Sequence, residues 1–282
     1  MTADLQLGLI GDSIAASRSP LLHVLAGRQN GQRVAYDRLV PDTMSLGFDA
    51  VFDHALAAGF RGVNVTYPYK ERVVEKLHIP DPQVRAIGAV NTVLFQPAGP
   101  EGHNTDYSGF IAAYRGLRGD ASPGVVLMIG TGGVGRAVAF GLIALGVTEL
   151  RLVDCDPDKA QTLAHDLRRA APALVVQVGT EASALAAGAA GLINCTPVGM
   201  VGYGGTPLPR AAMDAPLWAF DAVYTPVDTE FLSDAAAAGA AILSGWELFF
   251  WQGVHAWALF SGNLPLDRVA LRNALLTTGE VV

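Results

Sequence analysis

The segment Val125–Gly135, which reads VVLMIGTGGVG, is the clearest indication of the fold in this sequence. Its first five residues are all apolar, and this predicts a strand buried on both faces, as in a parallel sheet. The next six residues fit the pattern G-x-G-x-x-G, and an apolar helical pattern follows from Arg136 to Leu145. Glycines in this pattern permit a tight turn, close approach of a pyrophosphate to the backbone, and close packing of the helix on the strand. The stretch therefore predicts a Rossmann dinucleotide-binding unit rather than a plain glycine-rich turn.

The acidic residues that follow bear on which dinucleotide binds. A second predicted strand, Glu149–Val153, ends in Asp154, which is 24 positions beyond Gly130 and close to where a ribose-binding carboxylate is expected. Asp154 and Asp156 can accept hydrogen bonds from ribose hydroxyls but would repel a 2′-phosphate. The turn contains no arginine, although Lys159 lies nearby and would offset part of this negative charge. We therefore expect NAD to be preferred over NADP.

The rest of the chain alternates short strand patterns with helical ones, which is typical of α/β proteins with parallel sheets. The predicted strands before residue 106 are Leu5–Ile10, Val34–Val40, Gly62–Thr66 and Ala89–Phe95. The predicted helices between them are Leu21–Arg28, Leu46–Ala58 and Tyr69–Leu77. A Pro- and Gly-rich interval, Pro97–Gly102, and a helix from Asp106 to about Leu117 then precede the Rossmann pattern. The chain is long enough for two domains, and we expect a boundary near residue 106.

Composition excludes several classes of protein. Although 51% of the 282 residues are hydrophobic, no apolar run approaches the ~18 residues that a membrane span needs. The net charge of -7, without a basic stripe, argues against nucleic-acid binding. The only cysteines, Cys155 and Cys195, lack the spacing of metal ligands, so we expect neither a disulfide framework nor a metal site. The N-terminus lacks the features of a signal peptide, and a cytoplasmic location is the default expectation.

A candidate proton-transfer pair comes from two separate segments. Lys70, one of only three lysines, lies just past the strand-like stretch Gly62–Thr66. Pro68 would end that strand and open a helix, which would put Lys70 in a first helical turn, a poor place for a merely structural cation. Asp106 supplies a carboxylate at the start of another predicted helix, where it could equally be an N-cap. An ammonium and a carboxylate at two element ends make a plausible acid–base pair.

Four blocks of sequence occur in a specific order and spacing. They are Gly11–Pro20 with Ser17-Arg18-Ser19-Pro20, Asn64–Glu71, Asn91-Thr92 followed by Asn104-Thr105-Asp106, and Asn194–Met200. Through these blocks the chain resembles the shikimate and quinate dehydrogenases along nearly its whole length. The segment Asp221–Tyr224 and the helix carrying Gln252 match more weakly. The chain is most similar to the NAD-preferring subgroup, in which an aspartate replaces a phosphate-binding turn. In the first block Asp12-Ser13 replaces the usual Asn-Pro, and this departure bears on the end of the site that would bind the substrate carboxylate.

The resemblance implies a two-domain α/β architecture. Residues 1–105 would form the catalytic domain, completed by C-terminal helices in 246–282, and 106–245 would form the Rossmann domain. Lys70 and Asp106 would be the catalytic pair, and the substrate would be held by Ser17, Ser19, Thr66, Asn91, Tyr224 and Gln252. The implied cofactor-binding residues are Gly130, Thr131, Gly132, Gly133, Val134, Asp154, Asp156, Lys159, Thr196, Val223 and Gly245. Ser, Thr, Asn and Gln both donate and accept hydrogen bonds, as a cyclic polyol carboxylate requires.

Several of these residues also have purely structural explanations. Ser19 could be a helix N-cap and Asn91 a turn residue, while Gln252, among aromatic neighbours, could satisfy a buried backbone group. The histidines form no cluster; five are interpreted as incidental and His103 as a loop residue.

The reaction implied is reversible hydride transfer between the nicotinamide and a ring hydroxyl of shikimate or quinate, with the 3-dehydro compounds as ketones. An aminoshikimate or other cyclic polyol-carboxylate dehydrogenase, a methylene-folate dehydrogenase, and a non-catalytic NAD-binding metabolite sensor are the alternatives. The sequence does not decide which member of the pair is the base, nor between a monomer and a homodimer.

Overall fold

The computed structural model describes residues 3–278, which form two compact units. One unit runs to Thr105 and resumes at Gln252, and the other is Asp106–Trp251. Each unit has its own sheet with helices around it, so the predicted α/β fold class is confirmed. Two helices, α5 (Thr105–Arg118) and α10 (Gly245–Ser261), contain the points at which the chain passes from one unit to the other.

The first unit contains a five-stranded sheet of order β2-β1-β3-β4-β5. Its strands are β1 (Leu5–Ile10), β2 (Val34–Leu39), β3 (Gly62–Val65), β4 (Thr92–Gln96) and β5 (Gly99–His103). β1 pairs in parallel with β2 and β3, whereas β4 is antiparallel to both β3 and β5. The expectation of a parallel sheet is therefore wrong for the β3-β4-β5 half. The Pro- and Gly-rich interval contains the turn that joins β4 to β5 and most of β5 itself, and Gly99 there has a φ of +119°, which a side chain would disfavour.

The helices of this unit are α1 (Ser19–Gln29), α2 (Pro41–Met44), α3 (Phe48–Ala57), α4 (Pro82–Ile87) and α11 (Arg268–Thr277). Phe48, Val51, Phe52 and Ala55 give α3 one buried face, which packs with Val63 and Val93 of the sheet. Ala256 and Phe260, from the second half of α10, pack against Leu7 and Leu94. α11 packs on α1.

The predicted helix Tyr69–Leu77 is wrong. The structure has a 3-10 helix over Arg72–Lys76 instead, and Lys70 lies in the turn before it. The carbonyl of Lys70 accepts a hydrogen bond from the backbone N–H of Val90, at 2.8 Å. Because Val90 lies just before β4 and outside the predicted helix, this carbonyl does not make the hydrogen bond that a regular helix would need. The argument that Lys70 opposes a helix macrodipole does not apply.

The second unit contains a six-stranded, wholly parallel sheet of order β11-β10-β9-β6-β7-β8. Its strands are β6 (Val125–Ile129), β7 (Glu149–Val153), β8 (Val175–Gly179), β9 (Gly191–Asn194), β10 (Trp218–Asp221) and β11 (Ala241–Leu243). The strand order reverses between β6 and β9, and ligands of such sheets bind beyond the carboxyl ends of the strands at this point. The predicted bounds of β6 and β7 are confirmed to the residue.

The helices of this unit are α6 (Gly133–Ala144), α7 (Pro157–Ala170), α8 (Ala182–Leu185) and α9 (Glu230–Ala237), besides parts of α5 and α10. Over the described residues, none of the helices combines the length and the apolar character needed to cross a membrane. Within the same part of the chain, no group of three His, Cys, Asp or Glu residues could hold a metal ion.

Candidate active site

The Ser17–Ser19 loop connects β1 to α1 in the first unit. Ser19 is the first residue of α1 and Arg18 is its N-cap, so the alternative in which Ser19 itself caps the helix is wrong. Instead the Ser17 hydroxyl oxygen accepts the Ser19 backbone N–H at 3.3 Å, and the two hydroxyl oxygens lie 3.3 Å apart. Both side chains are half-buried. The loop thus holds two hydroxyl groups close together, as a binding site for a carboxylate would need.

Two arginines hold this loop in place. Arg18 Nη2 donates to the carbonyl oxygens of Leu275 and Thr278, at the end of α11, where cations are favoured. Arg38 Nη2 donates to the carbonyl of Ser17 at 3.0 Å. The C-terminal helix is therefore tied directly to the serine loop within the first unit, a contact that the sequence did not predict.

Thr66 and Lys70 lie beyond the carboxyl end of β3. The Thr66 N–H donates to the carbonyl of Ile10 at 2.9 Å, which sets Thr66 beside the chain leaving β1. Thr66 is half-buried, whereas Lys70 is only 9% exposed. Lysine is almost never buried without a functional or ionic reason. Its burial agrees with a specific role in this unit.

Asn91 is at the centre of a buried hydrogen-bond network. Its Oδ1 accepts the Thr105 N–H at 2.7 Å and the hydroxyls of Thr105 and Thr92 at 3.1 Å each. Its Nδ2 donates to the Thr105 hydroxyl at 3.0 Å, and Thr92 is joined in turn to Asn64 Nδ2. Oδ1 is thus fully engaged, and only one Nδ2 hydrogen remains to meet a substrate. The proposed substrate contact of Asn91 is limited to donation.

Asp106 lies in the first turn of α5, which begins at Thr105, so Asp106 is not the N-cap. It is 5% exposed, and Asn104 just before the helix donates from Nδ2 to the carbonyl of Ala89 at 2.8 Å. Asp106 belongs to the second unit and Lys70 to the first. Both side chains are buried, Lys70 in the turn after β3 and Asp106 in the first turn of α5.

Tyr224 and Gln252 are the remaining candidates for substrate contact. The Tyr224 ring, in the second unit, stacks on Phe249 with the centroids 5.2 Å apart and the planes 19° from parallel. Gln252 is half-buried on α10 at the point where the chain re-enters the first unit.

Gly245 begins α10, and a Cβ there would lie 2.4 Å from the carbonyl oxygen of Val223. Glycine is therefore required for α10 to approach the turn after β10.

The glycine-rich turn after β6 has the features that a dinucleotide needs. Gly130 has a φ of +98°, and a Cβ there would lie 2.6 Å from the carbonyl carbon of Cys195. A Cβ on Gly135 would lie 2.2 Å from the Gly130 oxygen, whereas one on Gly132 would meet nothing within 4 Å. Gly132 is the N-cap of α6, and no side chain caps the helix or places an acid in its first turn. The residues present fit a pyrophosphate, since they leave open backbone and a positive helix end for it.

The Asp154 carboxylate is bound to this turn. Its Oδ2 accepts both the N–H and the hydroxyl of Thr131, at 2.7 Å each, and its Oδ1 accepts the Asp156 N–H at 2.9 Å. Burial alone would raise the pKa of Asp154, but hydrogen bonds from Asp156 and Thr131 outweigh it and lower that pKa. Asp154 is therefore ionised at neutral pH and its charge is fixed beside the glycine turn.

Asp156 and Lys159 have structural positions on α7. Asp156 is the N-cap, and its Oδ1 accepts the N–H groups of Asp158 and Lys159 at 3.1 and 3.4 Å. The Lys159 side chain is exposed. The sequence did not predict that cap, although an acidic residue before Pro157 is a standard N-cap signal.

Asp221, which was not among the predicted site residues, joins the ends of β9 and β10. Its Oδ1 accepts Asn194 Nδ2 at 3.0 Å and the Val223 N–H at 2.9 Å, and its Oδ2 accepts the Thr229 hydroxyl at 2.7 Å. Asn194 Oδ1 accepts the N–H and hydroxyl of Thr196 at 2.9 and 2.7 Å. The carboxylate thus fixes the two turns that carry Thr196 and Val223, two of the residues assigned to cofactor binding.

The Asp221 network predicts a pH dependence of stability. Burial raises the pKa of Asp221 to about 6, although hydrogen bonds from Thr229, Val223 and Asn194 oppose the shift. Because this pKa is above the unfolded value of about 3.9, the stabilisation is complete below about pH 4 and is lost as pH rises through about 6. Relative to Asp221→Asn, the free energy of unfolding of the wild type should fall by about 3 kcal/mol between these limits. Urea unfolding of both proteins measures it, and a difference that is constant with pH would contradict it.

Comparison with known proteins places these features in a family. The model of the shikimate dehydrogenase substrate binding domain matches residues 9–93. A shikimate dehydrogenase (NADP(+)) of Streptomyces avermitilis is 39% identical over an alignment 279 residues long. The match covers 94% of this chain and 93% of the relative. A quinate/shikimate dehydrogenase (NAD(+)) of Corynebacterium efficiens is 37% identical over 266 residues, covering 92% and 93%.

A solved structure agrees with these relatives. The quinate dehydrogenase of Corynebacterium glutamicum, in complex with NAD, superposes with a TM-score of 0.87 at 36% identity and covers 97% of this chain and 99% of that chain. The relatives thus include both NADP and NAD enzymes, and the preference of this chain for NAD stays a prediction.

Proposed function

Because the chain belongs to the shikimate and quinate dehydrogenase family, we propose that it transfers a hydride reversibly between NAD(P) and a ring hydroxyl of shikimate or quinate, giving the 3-dehydro ketone. The main support for the proposal is the 39% identity with the Streptomyces avermitilis enzyme. Because the match covers 94% of the chain, it includes both units. In that scheme the first unit holds the substrate and the second holds the dinucleotide.

A bound nicotinamide dinucleotide supplies the hydride chemistry, and the protein must hold the substrate and move one proton. We assign that proton to Lys70 and Asp106, which are both buried. Acid–base catalysis of this kind contributes about 10²- to 10⁴-fold.

The substrate would be held by hydroxyl and amide groups of the first unit. The paired Ser17 and Ser19 hydroxyls suit the carboxylate, while Thr66, the remaining Asn91 N–H and Gln252 suit ring hydroxyls. Tyr224 would add a contact from the second unit. Shikimate and quinate differ by a ring hydroxyl, and one hydrogen bond to it is worth only ~1 kcal/mol net, so both are candidate substrates.

The activity is tested by following the absorbance of reduced nicotinamide with purified protein. Shikimate, quinate and an amino analogue are each supplied with NAD and with NADP. We expect turnover of shikimate or quinate. No signal with any pairing would refute the proposed reaction and would favour the alternative of a metabolite sensor, provided that the protein still binds NAD in a calorimetric titration.

We further propose that NAD is preferred over NADP. The ionised Asp154 carboxylate, fixed by Thr131 next to the glycine turn, would repel a 2′-phosphate. Asp154→Asn removes the charge while keeping an oxygen for Thr131. We expect the ratio of kcat/KM for NAD to that for NADP to fall by about 10-fold, equivalent to ~1.4 kcal/mol. Arg169→Ala, an exposed residue near the other end of α7, is the control that should leave the ratio unchanged. An unchanged ratio in Asp154→Asn would contradict the assignment.

A further inference from the structure

In the first unit, the loop that follows β1 and the loop that follows β3 are in direct contact. β1 and β3 pair in parallel, with Ile10 opposite Val65. Immediately beyond this pair, the Asp12 N–H donates to the carbonyl of Tyr67 at 3.1 Å. A Cβ on Gly11 would lie 2.2 Å from Thr66 Cγ2, so the two loops are in close contact. One loop continues to Ser17 and Ser19, and the other continues to Lys70.

A side-chain hydrogen bond joins the same two loops. The Tyr69 hydroxyl donates to Asp12 Oδ1 at 3.0 Å, and both side chains are half-buried. The Tyr69 ring stacks on Phe48 of α3, with 4.7 Å between the centroids and 17° between the planes. Burial, and then the hydrogen bond to Asp12, raise the pKa of Tyr69. The ring is therefore fixed by α3 on one side and by the Asp12 carboxylate at its tip.

The position of the Lys70 backbone is set by contacts of the preceding residue and by a contact of its own carbonyl. Tyr69, which precedes it, is held by Asp12 and Phe48, and the carbonyl of Lys70 itself accepts the Val90 N–H at 2.8 Å. The Tyr67 side chain, in contrast, is 75% exposed, so its ring is not held between two partners as the ring of Tyr69 is. A charge-assisted hydrogen bond between half-buried groups is stronger than a neutral one, and it has a defined direction. The Tyr69–Asp12 bond is thus a side-chain contact that relates the lysine turn to the serine loop.

We propose that Tyr69 and Asp12 are a positioning pair, which holds the Lys70 turn in register with the Ser17–Ser19 loop. Neither residue is assigned a contact with the substrate. The inference rests on the proposed function, because it supposes that Lys70 and the two serines act on one substrate. Losing the pair would let the ammonium move relative to the substrate carboxylate, and misplacement of a catalytic group lowers kcat more than it raises KM.

A double-mutant cycle tests the pair. In Tyr69→Phe the stacking on Phe48 is kept and only the hydroxyl is lost, while Asp12→Ala removes the acceptor. We expect each single change to lower kcat about 5- to 10-fold with the KM for NAD unchanged, and the double variant to be no slower than the slower single variant. Asp12→Asn, which keeps an acceptor oxygen, should recover part of the rate. Tyr67→Phe is the matched control in the same turn and should behave as wild type.

A second readout does not depend on activity. The ionisation of Tyr69 is isolated by subtracting the ultraviolet phenolate titration of Tyr69→Phe from that of the wild type. We expect this pKa to fall toward its ordinary value in Asp12→Ala. Additive rate effects, or a Tyr69 titration unchanged by Asp12→Ala, would overturn the pair while the wild-type turnover still upheld the proposed function. Absence of turnover in the wild type would overturn the proposed function and, with it, the positioning role.

Discussion

Replacing Lys70 with alanine is expected to lower kcat by about 10²- to 10⁴-fold, with a much smaller change in the affinity for shikimate or quinate. The proton of the substrate hydroxyl would lose its partner, whereas the hydroxyl and amide groups assigned to substrate binding would remain. An interaction needed mainly in the transition state affects kcat rather than KM. Steady-state kinetics over a range of substrate concentrations, at saturating dinucleotide, measure both constants.

Two controls separate chemistry from folding. Lys76→Ala removes another lysine only six positions away, one that pairs with Asp53 at 3.2 Å on the surface, and it should leave kcat unchanged. Because Lys70 is buried, alanine also leaves a space, so Lys70→Met is the variant that keeps the apolar length of the side chain. If a folded Lys70→Met enzyme kept the turnover number of the wild type, Lys70 would have no catalytic role.

The fold was predicted best where one short segment determines its own structure. The strand β6 is a continuous run of five apolar residues that ends at the glycine turn, and the strand β7, ELRLV, alternates polar and apolar residues and ends before Asp154. The hairpin strand β5, with the sequence GPEGH, has neither alternation nor strong strand propensity, and pairing with β4 is what makes it a strand. The turn at Lys70 was mistaken for a helix because its defining contact, with the N–H of Val90, is 20 positions away in the sequence.

The site shows the same division between local and distant determinants. The glycine turn and Asp154 were found because they follow strands at fixed spacings. Asp221 and Tyr69 were not identified as structurally important, since their partners are Asn194, 27 positions away, and Asp12, 57 positions away. A buried acid in the apolar strand WAFD is the one local signal that could have pointed to Asp221. Residues that position other residues are difficult to find from sequence alone because their role is defined by the tertiary fold.

Two glycines of the same turn are expected to respond to alanine in different ways. Gly132 has a φ of -71°, which alanine adopts freely, and its Cβ would meet no atom of the protein within 4 Å. Gly132→Ala should therefore lower the free energy of unfolding by less than ~1 kcal/mol, within the range typical of N-cap substitutions. The added methyl would nevertheless occupy the space that a pyrophosphate needs at the end of α6. We expect the KM for NAD to rise at least about 10-fold, corresponding to ~1.4 kcal/mol.

Gly135→Ala should instead destabilise the folded protein. Its Cβ would lie 2.2 Å from the carbonyl oxygen of Gly130, a backbone atom that cannot move without opening the turn between β6 and α6. Overpacking of this kind costs ~1–3 kcal/mol or more. Urea unfolding and calorimetric titration with NAD distinguish the two variants, because the first loses affinity with little loss of stability and the second loses stability as well. Normal NAD affinity in Gly132→Ala would mean that the dinucleotide does not approach the N-terminus of α6, and the assignment of this turn to the pyrophosphate would then be wrong.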